Sequence, residues 1–450
     1  MRYFKATFVW VIALVALAGY TYLDFSHTRI EEARKEEASR LLPFTPQEAL
    51  AIELVRAEGV IALERWEDGW RLVAPIKAKA DSEAVEKFLE YVTDSRNDAD
   101  YVMDPDPTPE RLKEFGLAEP KVTLTLKVGK ELKPYTLMFG DRAPSMGVAF
   151  ARLKGGKPVY RVLANARAEA DKDAFYFRDK KVLRLNPVMV DQLAITRADL
   201  SLRARMTGEG RWTLERPVKD RADNEKVFEF LGLFANAQVK AFADETKDRL
   251  REFALDKPSA ELRFWLSGDA EPAVTLTVGA RSPERRGYYC AMSDRDGVFV
   301  LDEEVIHAIP RDARELRGKE LFFFEQDALA RIEMRAGGTS VALVRGADKE
   351  WRRGGGKGDV VEYLAIKEFL DALASVRIRD FITDDPASLK EYGLDTPALQ
   401  VMLYPEGSAV PLFVSVGART PAGHRYARTG ERPTILALDE TIQGILQTLL

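Results

Sequence analysis

One cysteine and three histidines in a chain of 450 residues leave little material for thiol or metal chemistry. A single thiol closes no internal disulfide and builds no cysteine-based zinc site. His27, His307 and His424 lie far apart, so a metal cluster or a histidine-activated nucleophile would need partners that no local spacing supplies. A long block of positive charge is missing as well. The 67 basic and 72 acidic side chains give a net charge of −5, without the basic footprint that marks a nucleic-acid binder. These absences predict no metal, no cofactor and no nucleic-acid partner. What remains is globular material: 46% apolar residues, enough for several buried cores, in a length that corresponds to about three domains.

One apolar run is long. ATFVWVIALVALAGYTYL, Ala6 to Leu23, holds eighteen residues without a charge, just enough for a helix to cross the hydrocarbon layer. Arg2 and Lys5 before it favour a cytoplasmic N-terminus, while Tyr20 and Tyr22 suit the far interface. The expectation is a single-pass anchor over residues 1–24, with the body outside the cytoplasm. A cleaved signal peptide is the rival reading, because Ala16-Leu17-Ala18 fits a small-residue cleavage site. Both readings place the body in the same compartment. Residues 25–40 then form a juxtamembrane helical linker, since HTRIEEARKEEASRLL is strongly charged and free of glycine and proline.

The remainder repeats. LKEFGL at 112, LREFAL at 250 and LKEYGL at 389 recur at spacings of 138 and 139 residues, each with a proline three residues on. Trp70, Trp212 and Trp351 keep nearly the same period. Each is followed fifteen residues later by an apolar residue that opens an i, i+3, i+4, i+7 stripe: Val85, Phe88, Leu89, Val92; Val227, Phe230, Leu231, Phe234; Ile366, Phe369, Leu370, Leu373. That spacing predicts one amphipathic helix per repeat, capped by Asp81 and Asp223 and less well by Glu362. Alternating segments such as VTLTLKV, ELRFWLS and LQVMLYP predict antiparallel strands with one buried face. The predicted fold is α+β: three tandem repeats over 41–182, 183–320 and 321–450, each a sheet of five to seven strands on one main helix.

Aligning the copies tests the motifs. The glycine run in WRRGGGKGDVVEYL falls on a connector, where Gly356 matches Pro75 and Pro217. A phosphate loop needs Gly-Lys followed by Ser or Thr, whereas Gly358 and Asp359 follow here. Cys290 shares its column with Ala151 and Ala427, which reads as a buried strand position rather than a nucleophile. DPDPTPE, 104 to 110, lacks the frame of a calcium loop and reads as a proline-stiffened turn. Gly116 and Gly393 share a column with Ala254, which leaves a left-handed backbone there open. Arg142, Arg281 and Arg419 each sit two residues after a strand-closing glycine. They read either as ion pairs across a hairpin turn or as partner-binding residues. No catalytic, cofactor-binding or metal residue emerges.

The apolar N-terminus, the repeated L-K-E-F/Y-G-L-x-x-P and the strand ending in V-G-A-R resemble the bacterial domain-of-unknown-function family 4340. The resemblance implies a single-pass protein of the bacterial cytoplasmic (inner) membrane with its body in the periplasm or outside the cell. It also implies partners among envelope proteins, including subunits of ABC transporters of the gliding-motility type. The expectation is a non-enzymatic, membrane-tethered accessory or scaffold protein. The alternatives are an envelope hydrolase acting on cell-wall or glycan material through an Asp/Glu pair, and a ligand-binding module with clefts between repeats.

Overall fold

The computed structural model describes residues 39–96, 100–143, 147–354, 358–447 and 449. The expected anchor at 1–24 and most of the linker lie outside these residues, as do Gly355, Gly356 and Lys357. Among the described residues, no helix is long and apolar enough to cross a membrane.

The first repeat forms a sheet from β1 (Ala49–Arg56), β2 (Gly59–Trp66), β3 (Gly69–Ala74), β4 (Ala78–Lys79), β5 (Val102–Asp104), β6 (Val122–Val128), β7 (Lys133–Arg142), β8 (Val148–Leu153) and β9 (Val159–Leu163). The order is β4-β3-β2-β1-β6-β7-β8-β9-β5, antiparallel throughout. Along β6 the side chains of Val122, Leu124, Leu126 and Val128 are buried while Thr123, Thr125 and Lys127 face outward, as a period of two requires. The helix α1 (Ser82–Thr93) touches both β3 and β9. Those strands each lie one place in from opposite edges, so the sheet curls around the helix. The stripe Val85, Phe88, Leu89 and Val92 is fully buried, worth roughly 6–12 kcal/mol as an upper bound.

The same architecture occurs twice more, around α2 (Asn224–Asn236) and α3 (Tyr363–Ser375), with the same nine-strand order in each. Buried apolar residues form one principal core per repeat. The chain divides into two compact units, the first ending at Lys180 and the second spanning Lys181–Leu450, which holds repeats two and three. Each sheet therefore has nine strands where alternation predicts five to seven. The extra strands are short: β4 and its counterparts have two residues each and β5 has three. A segment of two or three residues carries no detectable periodicity, and its strand conformation follows from pairing with a neighbour.

Asp81 and Asp223 accept from the backbone amides of Ala84 and Lys226, each at 3.1 Å. Glu362 makes no side-chain cap. The recurrent motifs have a common cause in a close approach. A Cβ placed on Gly140, Gly279 or Gly417 would meet the carbonyl oxygen of Phe115, Phe253 or Tyr392 at 2.1, 2.1 and 2.2 Å, so the strand-closing glycine admits the turn of the L-K-E-F/Y-G-L motif. That turn is left-handed in all three copies, with φ of 66° at Gly116, 55° at Ala254 and 65° at Gly393. Alanine thus occupies a conformation that glycine adopts without strain. Ala254→Gly is expected to raise the denaturation midpoint, by about 1 kcal/mol in stability. Gly279→Ala is expected to lower stability by about 1–3 kcal/mol or more through overpacking. Urea titrations of the two variants check the opposite signs.

Candidate functional site

At the tryptophan hairpin the repeats differ in polarity. In the first repeat, Trp70 Nε1 donates to Glu86 Oε1 at 2.8 Å, and Glu86 pairs with Arg65 at 2.7 Å. The guanidinium of Arg65 lies 4.6 Å from the Trp70 ring centroid. In the third repeat, Lys367 holds the column of Glu86 and pairs with Asp371 at 2.6 Å. In the middle repeat that column holds Phe228, whose ring stands edge-on to Trp212 at 6.5 Å. Trp212 is 1% exposed and its Nε1 makes no hydrogen bond among the described residues, a costly state for a buried donor. The change extends to the neighbouring surface. Val188, Met189 and Phe228 are exposed, where the first repeat carries Gln47, Glu48 and Glu86; nearby Leu233 is exposed as well.

Beside this departure lies a cleft of about 720 Å3. Its walls are the hairpin turn before Trp212, the first turn of α2 and the connector that carries Glu320 and Phe323. Asn224 ties turn to helix, accepting from Trp212 N at 2.8 Å and donating to Gly210 O at 3.3 Å. Phe323 is 51% exposed, with the guanidinium carbons of Arg221 and Arg211 at 4.8 and 5.9 Å from its ring centroid. Both arginines are already neutralised: Arg221 pairs with Glu431 at 3.1 Å and Arg211 pairs with Glu209. Glu225 and Glu320 line the same cleft and form no ion pair among the described residues. The corresponding hairpin turns of repeats one and three form smaller hollows, of about 520 and 460 Å3.

The arginine column occupies equivalent places. A register shift in the strand pairing immediately precedes Arg142, Arg281 and Arg419, and a bulge of this kind re-aims a side chain. Arg281 donates to Glu303 at 2.7 Å, and Arg419 pairs with Glu440. Arg419 beside Glu440 holds that carboxyl below its usual range. These carboxylates do not lie across the hairpin turn, as the sequence reading has it. They sit at the end of the sheet's next strand but one, Glu303 opening a short helix. Ala164 holds the corresponding place in the first repeat, and exposed Arg142 forms no ion pair among the described residues.

Cys290 is fully buried, as are Ala151 and Ala427 in its column, and burial pushes its thiol pKa upward. Tyr288 Oη and His307 Nε2 are 3.4 Å apart, while His424 donates its backbone amide to Thr420 Oγ1, so the described histidines meet at no shared centre. In DPDPTPE, Asp104 pairs with Arg111, Asp106 with Lys157, and Thr108 caps the helix Pro109–Glu114.

One cluster escaped the sequence reading. Arg317, 1% exposed, donates from Nε to Asp220 Oδ2 at 2.7 Å, from Nη1 to Asp384 Oδ1 at 2.8 Å and from Nη2 to Thr434 Oγ1 at 2.8 Å. Its guanidinium lies 3.9 Å from the Phe381 ring centroid. Buried Arg432 Nε lies 2.9 Å from Asp220 Oδ1, and Arg432 Nη2 donates to Gly318 O at 3.0 Å. Burial lowers the pKa of Arg432 to about 10. Asp220 and Arg317 come from the middle repeat, and Asp384, Thr434 and Arg432 from the third, so the network joins those two repeats. The available signal was the arginine recurring in the connectors FRDKKVL and LRGKELF, Arg178 and Arg317. Arg317→Ala would leave buried Asp220 with Arg432 as its one cation among the described residues and remove the donor shared with Asp384 and Thr434, and is expected to cost up to about 3–5 kcal/mol. Asp384→Ala, at a carboxylate 43% exposed, is expected to cost less. Chemical denaturation of both variants and of the double variant reads the coupling.

Fold and cleft together define a protein of three tandem α+β sheet repeats. The profile of a family described as a domain of unknown function (DUF4340) matches residues 70–248, 212–397 and 361–449. These matches run through all three repeats and cover most of the chain, which therefore belongs to this family. Successive matches share 212–248 and 361–397, so the family unit continues from one repeat into the principal helix of the next. No curated protein matches the sequence.

Proposed function

We propose that this protein is a non-enzymatic scaffold, held at the bacterial cytoplasmic membrane by its N-terminal apolar segment. Its three repeats are presented outside the cytoplasm to envelope proteins, and it serves as an auxiliary component of an ABC-type export or gliding-motility complex. The observation that carries this reading is the fate of the recurrent polar groups. The helix caps, the Arg281 and Arg419 ion pairs and the Arg317 network all hold the fold together. The repeats differ instead on their surfaces, above all around Trp212, where an exposed apolar patch and a cleft lie side by side. Surface differences on a shared frame suit the presentation of distinct binding faces. The apolar run Ala6–Leu23 supports the tether.

Crosslinking in intact cells, followed by solubilisation and mass spectrometry, is expected to recover envelope membrane proteins with transporter subunits among them. Recovery of none overturns the proposal. A reporter fused after Leu450 is expected to be active only outside the cytoplasm, and activity inside reverses the topology.

A further inference from the structure

We propose that the cleft beside Trp212 receives a basic side chain, lysine or arginine, from an extended segment of a partner protein. The inference rests on the scaffold reading and names the chemistry of one of its binding faces. Six charged side chains line the cleft: Glu209, Arg211, Arg221, Asp223, Glu225 and Glu320. Four are acidic and two basic, which disfavours an anionic ligand. Local pairing sharpens the count. Glu209 is satisfied by Arg211, Arg221 by Glu431, and Asp223 caps α2 through Lys226 N. Glu225 and Glu320 form no ion pair among the described residues. Carboxylates in a concave, partly apolar site focus a negative potential on whatever enters it.

The rest of the lining suits the stem of such a side chain. Half-exposed Phe323 offers an aromatic surface, and the alkyl portion of lysine or arginine packs on apolar surface while its head stays polar. Trp212 lines the same cleft. Exposed Phe228 stands edge-on to Trp212 at the cleft wall, so the bound segment has apolar residues beside its basic one.

The test uses the full chain in detergent micelles and two fluorescein-labelled peptides, Gly-Leu-Lys-Phe-Leu-Gly and the same peptide with glutamate in place of lysine. By fluorescence anisotropy, the lysine peptide is expected to bind, with affinity that falls as salt is raised, and the glutamate peptide is not. Glu225→Gln combined with Glu320→Gln is expected to weaken the lysine peptide by at least about tenfold, and Phe323→Ser, at an exposed position, to weaken it as well. Equal binding of the two peptides, no binding of the lysine peptide, or an unchanged affinity in both variants overturns the inference. If the double variant fails to fold, the comparison of the two peptides on the wild-type chain and Phe323→Ser decide. Crosslinking the wild-type and doubly substituted chains in cells separates the two levels. Partners recovered equally from both sink the cleft assignment and leave the scaffold reading intact, whereas partners recovered from neither sink the scaffold reading itself.

Discussion

Each repeat depends on one buried contact: four apolar side chains on one face of a helix packed into the core of its sheet, which in the first repeat curls until strands near both of its edges touch that helix. Isolated helices of twelve or thirteen residues are marginal in water, and a nine-stranded sheet with an uncovered inner face is equally untenable. Neither element persists without the other. This mutual dependence explains why the apolar stripe recurs three times while surface residues in adjoining columns change freely.

The second constraint is steric. The sheet can pass close under the L-K-E-F/Y-G-L turn only where a strand residue lacks a side chain, and the glycine of F-G-D-R and V-G-A-R meets that need. The register shift that follows turns the next arginine outward, so one backbone irregularity produces both the invariant glycine and the periodic arginine. The arginine's environment then depends on a single residue at the far side of the sheet: glutamate in repeats two and three, alanine in the first. A repeated residue therefore need not have a repeated role, because its partner lies in another column.

Elements with local periodicity were legible from the sequence. The helices, their aspartate caps and the long alternating strands follow from spacing within a few turns of chain. The short edge strands were not legible, since two residues carry no pattern. The Arg317 network was also hidden, because its partners stand 97, 67 and 117 residues away and no rule of local spacing joins them. The polarity change at the tryptophan lay between these extremes. Its substitution, Phe228 in the column of Glu86 and Lys367, is visible in the aligned repeats, but its meaning emerges only when Trp70 is seen donating to Glu86 while Trp212 has no acceptor among the described residues.

The shortest strands carry a consequence for how such a chain is made. Three sheets of the same order, synthesised one after another on a single polypeptide, could exchange strands while folding, because each offers pairing partners resembling its own. One margin of every sheet ends in a two-residue strand, which exposes too few amides and carbonyls to template an incoming segment. Truncating that margin removes one of the two edges through which three near-copies, emerging from the ribosome in sequence, could become entangled.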